Sequence, residues 1–105
     1  MSDQALDQSL LNLIIAPQVE DAVIDWLLQC ECISGFTSMP ISGHGSSIHS
    51  LSTAEQVAGR RRQILIQSYL PRRDGEELVK ALQRDFAGSG MHYWLTPLQA
   101  VGHLD

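Results

Sequence analysis

Seven consecutive residues, Leu10-Leu11-Asn12-Leu13-Ile14-Ile15-Ala16, are apolar at every position but one. A strand with one wet face alternates apolar and polar side chains. A run this continuous therefore predicts a short strand covered on both faces. Helices of the same chain can supply one cover. The chain has 105 residues, which fits one domain spanning 1–105. A monomer of that size buries only about 60–70% of the surface its unfolded chain exposes. A partner subunit is the simplest source of the second cover.

The remaining elements follow in order. Pro17 suits a first helical turn, and Glu20 and Asp21 sit near the positive end of the helix dipole. Val19, Ala22, Val23, Trp26, Leu27 and Cys30 recur at three- and four-residue steps, so a helix is predicted to run to about Glu31. Ile33 to Ile41 reads as a second strand, with Pro40 suited to a sheet edge. From Ser42 to Ala58 the periodicity disappears. Such a long loop in a compact domain is functional or disordered, although Ser52 and Glu55 have the spacing to cap a turn from Thr53 to Val57. Arg60 to Leu70 is a third strand with Ile64, Ile66 and Leu70 on one parity and Leu65 and Tyr69 on the other. Asp74 and Glu77 have capping-box spacing ahead of the apolar face Leu78, Val79, Leu82, Phe86. Gly88-Ser89-Gly90 turns the chain into a fourth strand, Met91 to Leu95, closed by Pro97. The tail from Leu98 to Asp105 is half apolar and is expected to dock. Residues 1–9 are expected to be flexible. Two strand–helix–strand halves give an α+β, ferredoxin-like βαββαβ fold: a four-stranded antiparallel sheet with both helices on one face and a long loop between strands 2 and 3.

Composition narrows the function. A formal net charge of −5 disfavours nucleic acid and anionic membrane. Arg60-Arg61-Arg62 is too short for a nucleic-acid stripe and is expected to pair with acids of a neighbouring subunit. The polar, acidic start is unlike a signal peptide, and no run reaches the ~20 apolar residues of a membrane span. Cys30 and Cys32, one residue apart, read as reduced thiols of a cytoplasmic protein.

The stretch Ile33-Ser34-Gly35-Phe36, the long Gly43–Ala58 insertion, Gly88-Ser89-Gly90 and Trp94-Leu95-Thr96-Pro97-Leu98 together resemble the PII-like signalling superfamily over nearly the whole chain. They match, in turn, its Val-x-Gly-Phe strand, its T-loop, its glycine-rich B-loop and its last strand. Ser34 to Ser38, Gly43-His44-Gly45 and Ser52 to Arg60 look closest to a PII-like branch encoded beside heavy-metal efflux pumps of the resistance–nodulation–division class. The resemblance implies a homotrimer with a sensing or regulatory role and an efflux-pump component as partner. It also implies a nucleotide or small-ligand cleft between subunits at Gly35, Phe36, Gly88, Ser89 and Gly90. The sequence departs from the nucleotide-binding members: Gly88 to Tyr93 carries no Lys or Arg, nor does the chain after Arg84. A polyphosphate would lack its counter-charges there, so ATP binding is expected to be weak or absent. The loop also lacks the tyrosine that some members modify.

His44 and His49 in the loop are the candidate metal ligands. With His92, His103, Met39, Cys30 and Cys32 they make a set of nitrogen and sulfur donors suited to copper, silver or zinc. None has the close paired spacing of known zinc modules, and loop histidines are as readily plain solvated side chains. Cys30, closing an apolar helix face, reads as core. No motif aims a nucleophile at a base, so the expectation is a binding protein and not an enzyme.

Overall fold

A computed structural model describes residues 7–45 and 60–105. The chain order is β1 (Gln8–Ile15), a 3-10 turn (Pro17–Val19), α1 (Glu20–Leu28), β2 (Thr37–Gly43), β3 (Arg61–Pro71), α2 (Arg72–Asp85) and β4 (His92–Pro97). The sheet is antiparallel with strand order β2-β3-β1-β4. This is the ferredoxin-like arrangement expected.

Strand parity divides the side chains as the sequence predicts. Leu11, Leu13 and Ile15 of β1 lie opposite Ser68, Ile66 and Ile64 of β3. They are buried together with Val23 and Leu27 of α1 and Leu78, Val79 and Leu82 of α2. The core is therefore the layer between the sheet and the helices. Gly75 lets α2 approach closely: a Cβ there would stand 3.1 Å from Leu95 and 3.6 Å from Leu70. The opposite parity forms the open face of the sheet. Met39, Leu65 and Ile14 align across three strands of it, and Leu10 lies opposite Tyr69. Tyr69 and Trp94 are 40% and 48% exposed, a large aromatic area left in water. Set into this apolar face is a polar row, Thr37, Gln67 and Asn12, beside Trp94. Gln67 Nε2 donates to Asn12 Oδ1 at 2.9 Å, and Asn12 is only 3% exposed.

Several boundaries differ from expectation. β1 begins at Gln8, so Gln8 and Ser9 belong to the sheet and not to a flexible N-terminus; Ser9 is buried. Helix α1 stops at Leu28, short of Glu31, because the Cys30 amide closes back on the Leu27 carbonyl and the Ile33 amide on that of Cys30. That turn delays β2, which spans Thr37–Gly43 in place of Ile33–Ile41. Gly35 and Phe36 thus precede the strand, and Ser68 Oγ donates to the Gly35 carbonyl at 2.6 Å. Pro40 lies on an edge strand, as predicted. The Asp74–Glu77 box does not cap α2, which starts two residues earlier, after Pro71. Asp74 instead sits in the first turn, where the dipole favours a carboxylate. The tail is tied by the Leu98 amide to the Gln8 carbonyl at 2.9 Å, but Leu104 is fully exposed. The Thr53–Val57 turn lies outside the described residues.

The two helices are joined by Trp26, whose indole donates to Asp85 Oδ2 at 2.8 Å and whose ring meets Phe86 edge-on at 5.8 Å. The Arg84 guanidinium, and after it the Trp26 indole, hold the Asp85 carboxyl below its usual value. A lowered folded pKa gives stabilisation that is present above the ordinary carboxylate pKa and lost as pH falls through the folded one. The Trp26 indole resonance is therefore expected to stay fixed at neutral pH and to follow a titration whose midpoint lies below that of an ordinary aspartate. A midpoint at or above the ordinary aspartate value would show that the bond does not hold the proton off.

Candidate functional site

The sheet register gathers several features at one end. β2 ends at Gly43, opposite Arg61 at the start of β3. β1 ends at Ile15, and β4 begins at His92 opposite Ile14. Helix α2 ends at Asp85 and returns through Phe86 to Met91. His44, the arginines that open β3, the glycine turn and His92 therefore occupy the same end, where the β2–β3 connection departs. His44, Gly45 and His92 are exposed.

A cavity of about 250 Å³ opens there between α2, the glycine turn and the sheet. Its walls are Leu13, Val79, Leu82, Phe86, Met91 and Tyr93, and Gly88-Ser89-Gly90 line its mouth. Gly88 and Gly90 have φ of 79° and 78°, the left-handed region that glycine adopts without cost. A Cβ at either would touch nothing within 4 Å, so conformation and not space requires glycine. The polar groups are few. Gln83 Nε2 donates to Tyr93 Oη at 3.3 Å, and the Met91 amide donates to Ser89 Oγ at 3.3 Å. No Lys, Arg, Asp or Glu lines the cavity. Its chemistry suits an uncharged, largely apolar group that makes one or two hydrogen bonds.

Of the five residues placed in a ligand cleft, Gly88, Ser89 and Gly90 are at this cavity. Gly35 and Phe36 are not. Gly35 is held by Ser68, which lies in the row of Leu11 and Leu95. β4 begins at His92, about 10 Å along the strand from Leu95, and Gly90 lies beyond that end. One subunit does not bring the two groups together. Sequence reasoning missed the hydrophobic wall. Leu13, Val79 and Leu82 have ordinary core spacing, and nothing in the pattern says that the packing between them and Tyr93 is incomplete.

His49 lies outside the described residues. Among the described residues no three His, Cys, Asp or Glu side chains converge on a point. Cys30 is half-buried and Cys32 exposed, both as free thiols. Burial, then the neighbouring Cys32 and Asp85, push the Cys30 thiol up; burial and then Asp74 do the same for Cys32. Neither is an activated nucleophile. Among the described residues no helix is long and apolar enough to cross a membrane.

Comparison with known proteins gives this arrangement a context. Residues 5–105 match the model of a family described as "Protein of unknown function (DUF3240)". A search of curated proteins returns no match. A DUF3240 family protein from Shewanella baltica shares 25% identity over 100% of both chains, with a TM-score of 0.77. CPII, a nitrogen regulatory PII-like protein from Thiomonas intermedia bound to ADP, AMP and bicarbonate, shares 22% identity over 90% of this chain and 94% of that one, with a TM-score of 0.66. A PII-like signaling protein from Thermus thermophilus shares 12% identity over 90% and 89% of the two chains, with a TM-score of 0.65. The last two show a shared fold.

Proposed function

The chain belongs to the DUF3240 family, and we propose that it serves there as a PII-like regulator: a homotrimer that binds a small ligand at the loop end of its sheet and signals through the β2–β3 connection. The observation that carries this reading is the meeting, at one end of the sheet, of that connection with the glycine turn and the cavity. A ligand seated beside Gly88–Gly90 is placed to bias a segment that leaves the sheet at Gly43 and returns at Arg61. The open apolar face supports the assembly, because Tyr69, Trp94 and Met39 are too large an aromatic and sulfur patch to leave in water. The protein is read as a non-enzymatic cytoplasmic module. Its downstream partner is read as a heavy-metal efflux component, with His44 and His49 as the loop residues that meet the metal or the partner.

Nucleotides are the second reading, favoured by the ADP and AMP bound to the Thiomonas protein of like fold. The uncharged cavity argues for weak binding here. Sedimentation equilibrium is expected to give about three times the 11.6 kDa chain mass; a monomer at micromolar concentration sinks the trimer and any cleft between subunits. Calorimetry with ATP, ADP and AMP is expected to show Kd values above about 10 μM, weaker than about −7 kcal/mol. Tight, magnesium-dependent ATP binding would instead favour the nucleotide reading, with the arginines at the start of β3 as the phosphate contacts to test. Hydrogen exchange of the 42–58 segment, with and without Cu(I), Zn(II) or the cytosolic part of a pump, tests the signalling role. Protection unchanged by every ligand, together with unaltered metal affinity in His44→Ala/His49→Ala, returns those histidines to plain solvated side chains.

A further inference from the structure

Cys30 and Cys32 leave α1 in one tight turn. The Ile33 amide donates to the Cys30 carbonyl at 3.2 Å, so Cys30 is the first and Cys32 the third residue of the turn. The ends of such a turn, Cys30 and Ile33, are less than about 7 Å apart, which keeps Cys32 beside Cys30, and the two thiols lie near enough for Cys32 to push the Cys30 thiol up; a direct bridge would need a Cα separation of no more than about 6.8 Å. A shared atom between them asks less. Cys30 Sγ is fixed from behind, donating to the Trp26 carbonyl at 3.4 Å. Cys32 is exposed and completes no packing. Cys30 lies within electrostatic range of Cys32 and Asp85, and Cys32 of Asp74. Of those carboxylates, Asp85 is already paired with Arg84 at 2.9 Å, which leaves Asp74 and the sulfurs as the charge a cation would meet.

We propose that Cys30 and Cys32 form a two-sulfur binding site for a soft monovalent cation, Cu(I) or Ag(I). Thiolate sulfur selects soft ions. Zinc asks for four ligands in a tetrahedron, and among the described residues no third His, Cys, Asp or Glu converges there. A d¹⁰ monovalent ion accepts two sulfurs in a line, so the pair suffices. Binding displaces one proton from each thiol: M⁺ and two thiols give an M(SR)₂⁻ unit and two H⁺, and no electron changes hands. The site is independent of the regulatory reading above, since it uses neither the loop nor the cavity nor a second subunit.

The test is an anaerobic calorimetric titration of the reduced full chain with Ag(I), a redox-inert probe, in two buffers of different ionisation enthalpy. One Ag(I) per chain and two protons released are expected. Cys32→Ser changes an exposed side chain and keeps the fold. It is expected to weaken binding at least a hundredfold, whereas Ser34→Ala, an exposed neighbour with no metal-binding atom of its own, leaves it unchanged. Zn(II) is expected to bind far more weakly than Ag(I). Parent-like Ag(I) affinity in Cys32→Ser overturns the proposal, as does Zn(II) binding of equal strength. So does an Ag(I)-dependent doubling of mass at one ion per two chains, which would show thiols of different molecules bridged by the ion. Failure of the trimer or of ligand binding at the loop end would leave all these readouts unaltered, so the two ideas fail separately.

Discussion

Leu65→Asp is expected to release a folded monomer, while the same change one residue on, Ile66→Asp, is expected to abolish folding. The two side chains point to opposite faces of β3. Ile66 is 1% exposed beneath the helices, paired across from Leu13. A carboxylate there has neither water nor a partner, at a cost of several kcal/mol, against a total stability of about 5–15 kcal/mol for a domain. Leu65 is half-buried on the open face between Ile14 and Met39. In a lone subunit its replacement stays hydrated and the core below is untouched. In an assembly that covers this face, every copy brings an unpaired carboxylate into the contact, and the association weakens by orders of magnitude. Sedimentation and far-ultraviolet circular dichroism separate the outcomes: native dichroism at monomer mass for Leu65→Asp, lost dichroism for Ile66→Asp. Parent-like sedimentation of Leu65→Asp would mean that the open face is not the contact surface.

Leu27→Ala is expected to cost about 3–5 kcal/mol, near the upper end for a buried leucine. Helix α1 has nine residues, too few to persist without packing. It is held to the core by only two fully buried side chains, Val23 and Leu27. Removing Leu27 opens a cavity and frees one end of the helix, including the Trp26 contacts with Asp85 and Phe86. Urea denaturation should show a midpoint lowered in proportion, with indole fluorescence shifted toward that of solvent-exposed tryptophan. A change below about 1 kcal/mol would mean that Trp26 and not Leu27 anchors the helix.

The order of elements was legible because strand and helix periods are strong signals here. Leu11, Leu13 and Ile15 had to share a face, and Leu78, Val79 and Leu82 could meet it only from a helix. What misled was local. The Asp74–Glu77 spacing fits a cap, yet Pro71 already supplies an N-terminal boundary, so the helix begins before the box. The apolar look of Ile33–Phe36 suggested strand, but the turn at Cys30 and the Ser68 bond to Gly35 commit that stretch to a connection. Gly88, Ser89 and Gly90 were placed in a ligand cleft by resemblance alone; they line the cavity, and Gly88 and Gly90 take the left-handed conformation that glycine adopts without cost. The cavity behind them was invisible, because incomplete packing is a property of three elements meeting and not of any one of them. The loop histidines could be named as candidate metal ligands by chemistry, but nothing in their spacing brings them together.

The polar row in the open face bears on fidelity. A face of leucine, methionine and tryptophan alone would adhere to almost any apolar surface at almost any angle, since hydrophobic attraction has no direction. Asn12 and Gln67 change that. Each side-chain amide carries two N–H donors and one carbonyl acceptor; beyond their mutual bond, Asn12 Nδ2 donates to the Leu10 carbonyl at 3.5 Å, while Gln67 keeps an N–H and its carbonyl for a covering surface. A covering surface in the right register can meet the remainder; one that is rotated, shifted or foreign covers them unsatisfied, at about 1–3 kcal/mol for each group. Repeated in every copy, that difference makes one arrangement of like chains preferable to the many sticky alternatives. Such a pair would act as a proofreading element of assembly, lowering the strength of the contact in exchange for its selectivity.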